Sequence, residues 1–102
     1  MVKAFLYTEV HASVPFEHLD WKSINPSIKA APGFIRKTWL SGVGTQTIGG
    51  FYEFDTIENA LAFAQGPFAD EARSNGATST TKVFDGDVTR DASVDMNSPY
   101  FE

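Results

Sequence analysis

Few side chains in this sequence can move a proton or hold an ion. Histidine occurs twice, at His11 and His18, seven residues apart across a strand–helix junction. That spacing makes no His-x-x-His pair, so one chain cannot assemble a site with several imidazoles; a single histidine joined by Glu9 or Glu17 is the most a metal would meet. Cysteine is absent, which removes disulfides, thiolate nucleophiles, zinc knuckles and iron–sulfur clusters. Lys37 and Lys82 fall inside extended stretches, where each either pairs with Glu9 or Glu53 or holds an anionic substrate oxygen. The large aromatics of interest are Tyr7, Trp21, Trp39, Tyr52, Phe63 and Phe84. Core packing and subunit contact account for most of them, but a buried indole N–H or phenol O–H needs a partner and can serve a planar ligand in an apolar pocket.

Two glycine motifs carry less than they suggest. Gly42-x-Gly44 with Gly49-Gly50 sits in a hairpin, precedes no helix and lacks a following Lys-Ser/Thr, so it is no phosphate loop. Asp85-Gly86-Asp87 has no bidentate acid at the twelfth position of a calcium loop and reads as a turn.

The elements that must position these groups follow from periodicity. Val2 to Glu9 alternates, with Val2, Ala4 and Leu6 on one side and Lys3, Phe5, Tyr7 and Glu9 on the other, which predicts a strand. Ser13, Pro15 and Glu17 form a helix-entry signal; Leu19, Ile24 and Ile28 share a helical face, Pro26 interrupts it, and Asn25 is available as a cap. After Ala31-Pro32-Gly33, Phe34 to Ser41 predicts a second strand. Strict alternation puts Phe34, Arg36, Thr38 and Leu40 on one face and Ile35, Lys37 and Trp39 on the other. A turn at Gly42–Thr45 leads to a third strand, Thr47 to Phe54, in which Gly49-Gly50 suggests a bulge or a close backbone approach. Asp55 or Thr56 caps a helix whose apolar stripe is Ile57, Ala60, Leu61, Ala64 and Phe68, broken by Gly66-Pro67 and ended by Asn75-Gly76. Thr78 to Asp85 is a fourth strand, and Ser93 to Glu102 reads as extended or loose.

The order β-α-β-β-α-β is the ferredoxin-like pattern, an α+β fold with a four-stranded antiparallel sheet and helices on one face. The other face is bare and aromatic and must be covered, most simply by a second copy. Composition agrees. The chain has 102 residues, 42% apolar and 21% charged, one domain's worth. Such a chain buries only about 60–65% of its unfolded surface, so oligomerisation is expected. The net charge of −5 is concentrated after Phe84, where Asp85, Asp87, Asp91, Asp95 and Glu102 face Arg90 alone. An acidic tail repels phosphates, which argues against nucleic acid. We therefore divide the chain into a body, 1–88, and an acidic tail, 89–102. No apolar run is long enough for a signal peptide or a membrane span, so a cytoplasmic location and no membrane partner are expected.

Pro32-Gly33-Phe34 with Lys37 and Trp39, Gly49-Gly50-x-Tyr52-x-Phe54, Asn59-Ala60-Leu61-Ala62-Phe63 and Lys82-Val83-Phe84-Asp85 stand at spacings that resemble the YdhR-type mono-oxygenases, relatives of the antibiotic-biosynthesis mono-oxygenases. The resemblance spans about Pro32 to Asp85; the Asp20-Trp21 and Asn25-Pro26 region and the tail depart from it. It implies a dimeric α/β barrel, a homodimer with a cavity between sheet and helices in each subunit, and oxygenation of an aromatic, quinol or polyketide-like molecule without a cofactor. Triplet oxygen reacts with such a molecule once it is an anion, so the site needs a base, oxyanion donors and a dry cage. On this reading His11, at the mouth of the implied cavity, or Glu9 is the base, with His18 as a third candidate. Tyr52, Trp39 and Lys37 are oxyanion donors, and Tyr7, Trp21, Phe63 and Phe84 complete the substrate site. The same superfamily also implies redox-neutral isomerases or cyclases and non-catalytic binders of hydrophobic ligands as alternatives.

Overall fold

Alternation of apolar residues does build the strands, and their pairing fixes which side chains share a face. The computed structural model describes residues 3–11 and 14–101; Val2, Ser13 and Glu102, which figure in the expectations above, lie outside the described residues. Strand β1 (Ala4–His11) is followed by a 3-10 turn (Phe16–His18) and helix α1 (Trp21–Lys29). Strands β2 (Phe34–Ser41) and β3 (Thr47–Phe54) form a hairpin. Helix α2 (Ile57–Phe63) passes through a π-helical turn (Ala64–Phe68) into α3 (Ala69–Ser74), and β4 (Ser79–Asp85) precedes α4 (Arg90–Asp95). The antiparallel sheet has the order β2-β3-β1-β4, so the fold is the ferredoxin-like α+β arrangement.

Register sorts the side chains. Leu6 pairs with Tyr52 and Val83, and Thr8 with Gly50 and Thr81; these residues face the helices. The core there comprises Leu6, Tyr52, Phe54, Ala60, Phe63 and Ile28. Phe5, Tyr7, Glu9, His11, Phe51, Glu53, Lys82 and Phe84 take the opposite, open face.

Strand β2 departs from strict alternation. The register shifts between Phe34 and Arg36, so Ile35 is an extra residue in the strand. The bulge returns Phe34 to the helix side, where its ring stands edge-on to Phe54 at 6.1 Å. Ile35 is left exposed, and Lys37 and Trp39 keep the helix face. Gly49-Gly50 contains no bulge. It marks a close approach instead: a Cβ at Gly49 would strike the Thr8 carbonyl, and one at Gly50 would lie 2.5 Å from Lys37 Cε.

Helix α1 runs unbroken through Pro26, although proline withdraws the N–H that would bond the Lys22 carbonyl. Asn25 is not a cap; its side chain reaches the sheet. Thr56 does cap α2, accepting from the Asn59 N–H at 3.0 Å. The buried stripe of α2 runs through Ala60, Phe63 and Ala64, while Leu61 is exposed, because Phe63 docks on Tyr52 and Phe54 and rotates the helix accordingly. The stretch from Ser93, expected to be extended or loose, begins instead inside α4, and residues up to Phe101 pack back on the sheet. Asp85 Oδ1 accepts from the N–H groups of Asp87 and Val88, which turns the chain into α4. Tyr100 and Phe101 then fold onto the open face, 5.7 and 5.9 Å from Phe5. That end of the open face is thus covered, whereas Leu40 and Phe84 are not.

Candidate functional site

The helix-facing rungs of β2 and β3 bring three of the singled-out residues together. Lys37 pairs with Tyr52, and Trp39 with Gly50 on the next rung. Lacking a side chain, Gly50 leaves a gap that the Lys37 stem crosses. The Lys37 Nζ lies 3.2 Å from the Trp39 ring centroid and 4.6 Å from that of Tyr52. Phe63 of α2 also packs on Tyr52, with ring centroids 5.4 Å apart. Trp39 is fixed from α1 and the 3-10 turn: its Nε1 donates to Asn25 Oδ1 at 3.0 Å, and Phe16 lies 5.6 Å away.

Burial sets the electrostatics. It pulls the Lys37 ammonium down from 10.5 to about 7, with no neighbouring charge opposing it. The faces of Trp39 and Tyr52 are the groups that favour its charged form. Burial likewise pushes the Tyr52 phenol up to about 12, partly offset by the Thr8 hydroxyl, so it is a neutral O–H at any ordinary pH. The expected ion pair of Lys37 with Glu9 or Glu53 does not form. Glu53 lies on the other face, 4% exposed, bound by Lys3 Nζ at 2.8 Å and Arg36 Nε at 3.3 Å. Lys82 is on the open face as well, opposite Tyr7.

A groove of about 240 Å³ opens one rung further along, between the 3-10 turn and the β2–β3 turn, lined by Phe16, Ser41, Gln46 and Ile48 among others. It holds no ionisable side chain. Its inner wall includes Phe16, which packs on Trp39, and the Ser41–Ile48 rung, which adjoins the Trp39–Gly50 rung that the Lys37 side chain crosses.

The remaining candidates are elsewhere. His11 is exposed at the end of β1 on the open face, across the sheet from Tyr52. Tyr7 is on that face too; its hydroxyl donates to Glu9 Oε1 at 2.6 Å, which raises the phenol's pKa. Phe84 is exposed on the same side, and Trp21 begins α1 with its ring beneath Lys22 Nζ at 5.6 Å. Among the described residues no three of His, Asp and Glu converge as metal ligands would. Asn25, Phe16 and Gly50 were not recognisable as site residues from type alone, although the Gly49-Gly50 signal for close approach did mark the last.

The fold and its lysine–aromatic centre define a small ferredoxin-like protein with a desolvated amine between sheet and helices. Residues 6–96 match the family described as putative mono-oxygenase ydhR, and the chain belongs to that family. The match extends beyond Pro32–Asp85 to include most of β1 and all of α1 and α4. No curated protein matches the chain. Among the described residues no helix is long and apolar enough to cross a membrane.

Proposed function

We propose that the protein is a homodimeric, cofactor-independent mono-oxygenase of an electron-rich aromatic, quinol or polyketide-like small molecule, with Lys37, Trp39 and Tyr52 as its centre. The observation that carries this reading is an amine lodged against two aromatic faces with no carboxylate beside it among the described residues. A planar, acidic molecule entering from the groove would supply the missing negative charge. Without an external reductant the substrate must supply every electron. At an activated methylene one oxygen atom enters as a carbonyl and the other leaves as water with the two methylene hydrogens. At a quinol one enters a ring C–H as hydroxyl, and the other leaves as water with the two O–H hydrogens as the ring becomes a quinone. Tyr52 is a donor for the developing oxyanion. Trp39 contributes its ring face, because its N–H is already committed to Asn25. The exposed Leu40 and Phe84 on the open face support pairing of two copies there.

Oxygen-electrode measurements on the purified chain with phenols, quinols and activated methylene compounds test this. One oxygen consumed per product, lost in K37M, is the expected result. Turnover without oxygen uptake favours the second reading, a redox-neutral isomerase or cyclase, which the proximity of Lys37 and Tyr52 as proton-transfer groups would also serve.

A further inference from the structure

Among the described residues four of the eight lysines and arginines form ion pairs. Of the other four, Lys22, Lys29 and Lys82 are exposed, which leaves Lys37 as the unpaired cation withdrawn from water. Lys3 and Arg36 share the buried Glu53, Arg73 meets Asp70 and Arg90 meets Asp87, the last two at 2.9 Å. Lys37 lies beside none of these carboxylates. Its stem fills the space above Gly50, and its Nζ rests on the rings of Trp39 and Tyr52. The fully enclosed side-chain polar atom without a hydrogen bond among the described residues is Glu53 Oε1, so the Lys37 Nζ, which also has no such bond, keeps an opening to solvent. An amine so placed is desolvated but reachable.

We infer that Lys37 is the proton acceptor of this site, and that the site therefore selects substrates acidic enough to surrender a proton near neutrality, phenols and β-dicarbonyl enols. This rests on the helix-side centre being the substrate site. The step balances simply: the neutral amine takes the proton from the substrate's O–H, leaving a substrate anion and a lysine ammonium. The ammonium is then held by two ring faces and by the anion it has created, which is the counter-ion the fold does not supply. Burial, which brings Lys37 to about 7, leaves a large share of the amine neutral at rest. Around the nitrogen, β2 presents Trp39, β3 presents Tyr52, β1 presents Thr8 and α1 presents Asn25 through Trp39; Tyr52 is the one titratable group of these, and it stays protonated. His11 and Glu9, the acceptors expected from sequence, are across the sheet.

The test uses p-nitrophenol, which oxygen does not attack and whose phenol and phenolate forms differ in colour. The protein is titrated at the probe's own pKa, which lies close to that of Lys37, with net proton release followed by a pH indicator in weakly buffered solution. There about half of the free probe is phenol and about half of Lys37 is neutral. The wild type should show a saturable gain in the phenolate band with almost no net proton released, because Lys37 takes up what the probe gives. K37R, a permanent cation, should show the same gain with about half a proton released per bound probe. K37M should bind the probe as the phenol, so that the phenolate band falls on binding and protons are taken up. If the wild type releases as much as K37R, Lys37 is already charged and is only a counter-ion, which overturns the inference and leaves the site intact. If no phenol binds saturably to the wild type, both the inference and the proposed substrate site fall. K37R carries the comparison should K37M fail to fold.

Discussion

Gly50 is where one added methyl group would be felt most. Its Cβ would lie 2.5 Å from Lys37 Cε and 2.9 Å from a Tyr52 ring carbon. The lysine tip can swing aside; the wholly buried tyrosine cannot. G50A should therefore displace the amine from the rings and cost roughly 1–3 kcal/mol by overpacking, read as a lower urea midpoint together with lost substrate-dependent oxygen uptake. The lysine also has a pH signature. Its folded value, about 7, lies below its ordinary 10.5, so between those values the unfolded chain binds more protons than the folded one. Stability should rise as pH climbs through that window, and the gain is lost as pH falls back to about 7. At about 1.4 kcal/mol per unit, trimmed for the amine's access to water, the rise should be roughly 2–4 kcal/mol. Tyr52 acts oppositely: its folded value is raised from 10.0 to about 12, so its stabilisation is complete below pH 10 and lost through about 12. Urea midpoints from neutral to mildly alkaline pH should thus climb in the wild type, and K37M should flatten the climb.

At the scale of elements, α1 is nine residues long and holds Trp39 through a single side-chain bond from Asn25. A helix this short is stable only by what it docks on. N25A should leave the indole N–H without its acceptor, cost about 1–2 kcal/mol, and shift tryptophan fluorescence; an unchanged spectrum and midpoint would show that the contact does not hold the helix. This bond also shows where sequence reading stopped. Asn25 before Pro26 has the composition of a cap, and nothing local reveals that its amide spans to a strand 14 residues on. Phe34 was misplaced for a related reason: alternation counts residues, and the extra one at Ile35 inverts the count without any glycine to announce it. His11 is a different case. The predicted strand stopped at Glu9 and left it in the connection, whereas β1 runs on to His11 and so groups it with Tyr7 and Glu9. What separates it from Tyr52 is the pairing of Leu6 with Tyr52, a register between distant strands that periodicity cannot supply. The strands, their order in the chain and the shared face of Lys37 and Trp39 were legible because each depends on local alternation alone.

At the scale of the whole molecule, the open face of the sheet decides how many chains make the working protein. Its centre is already dry: Phe5 is buried under Tyr100 and Phe101, and Phe51 lies 5.3 Å from Tyr100. The C-terminal aromatics end there, and beyond them Leu40 is 37% and Phe84 47% exposed on opposite edge strands. A second copy laid on this face would cover both edges, and the acidic C-terminal segment would lie at its margin. A glutamate at Phe84 tests this sharply, because the residue is half in water in the single chain and its replacement should leave the fold alone. Buried in a dimer, the new carboxylate would lack a partner and cost about 3 kcal/mol or more, weakening association over a hundredfold. Sedimentation should show a dimer for the wild type and a monomer for F84E at the same concentration, with the thermal transition of the single chain preserved; a monomeric wild type would overturn the pairing. The amine, its two rings and the groove all belong to one chain on the opposite side of the sheet. F84E should therefore still bind p-nitrophenol, and loss of that binding on dissociation would mean that the partner completes the site.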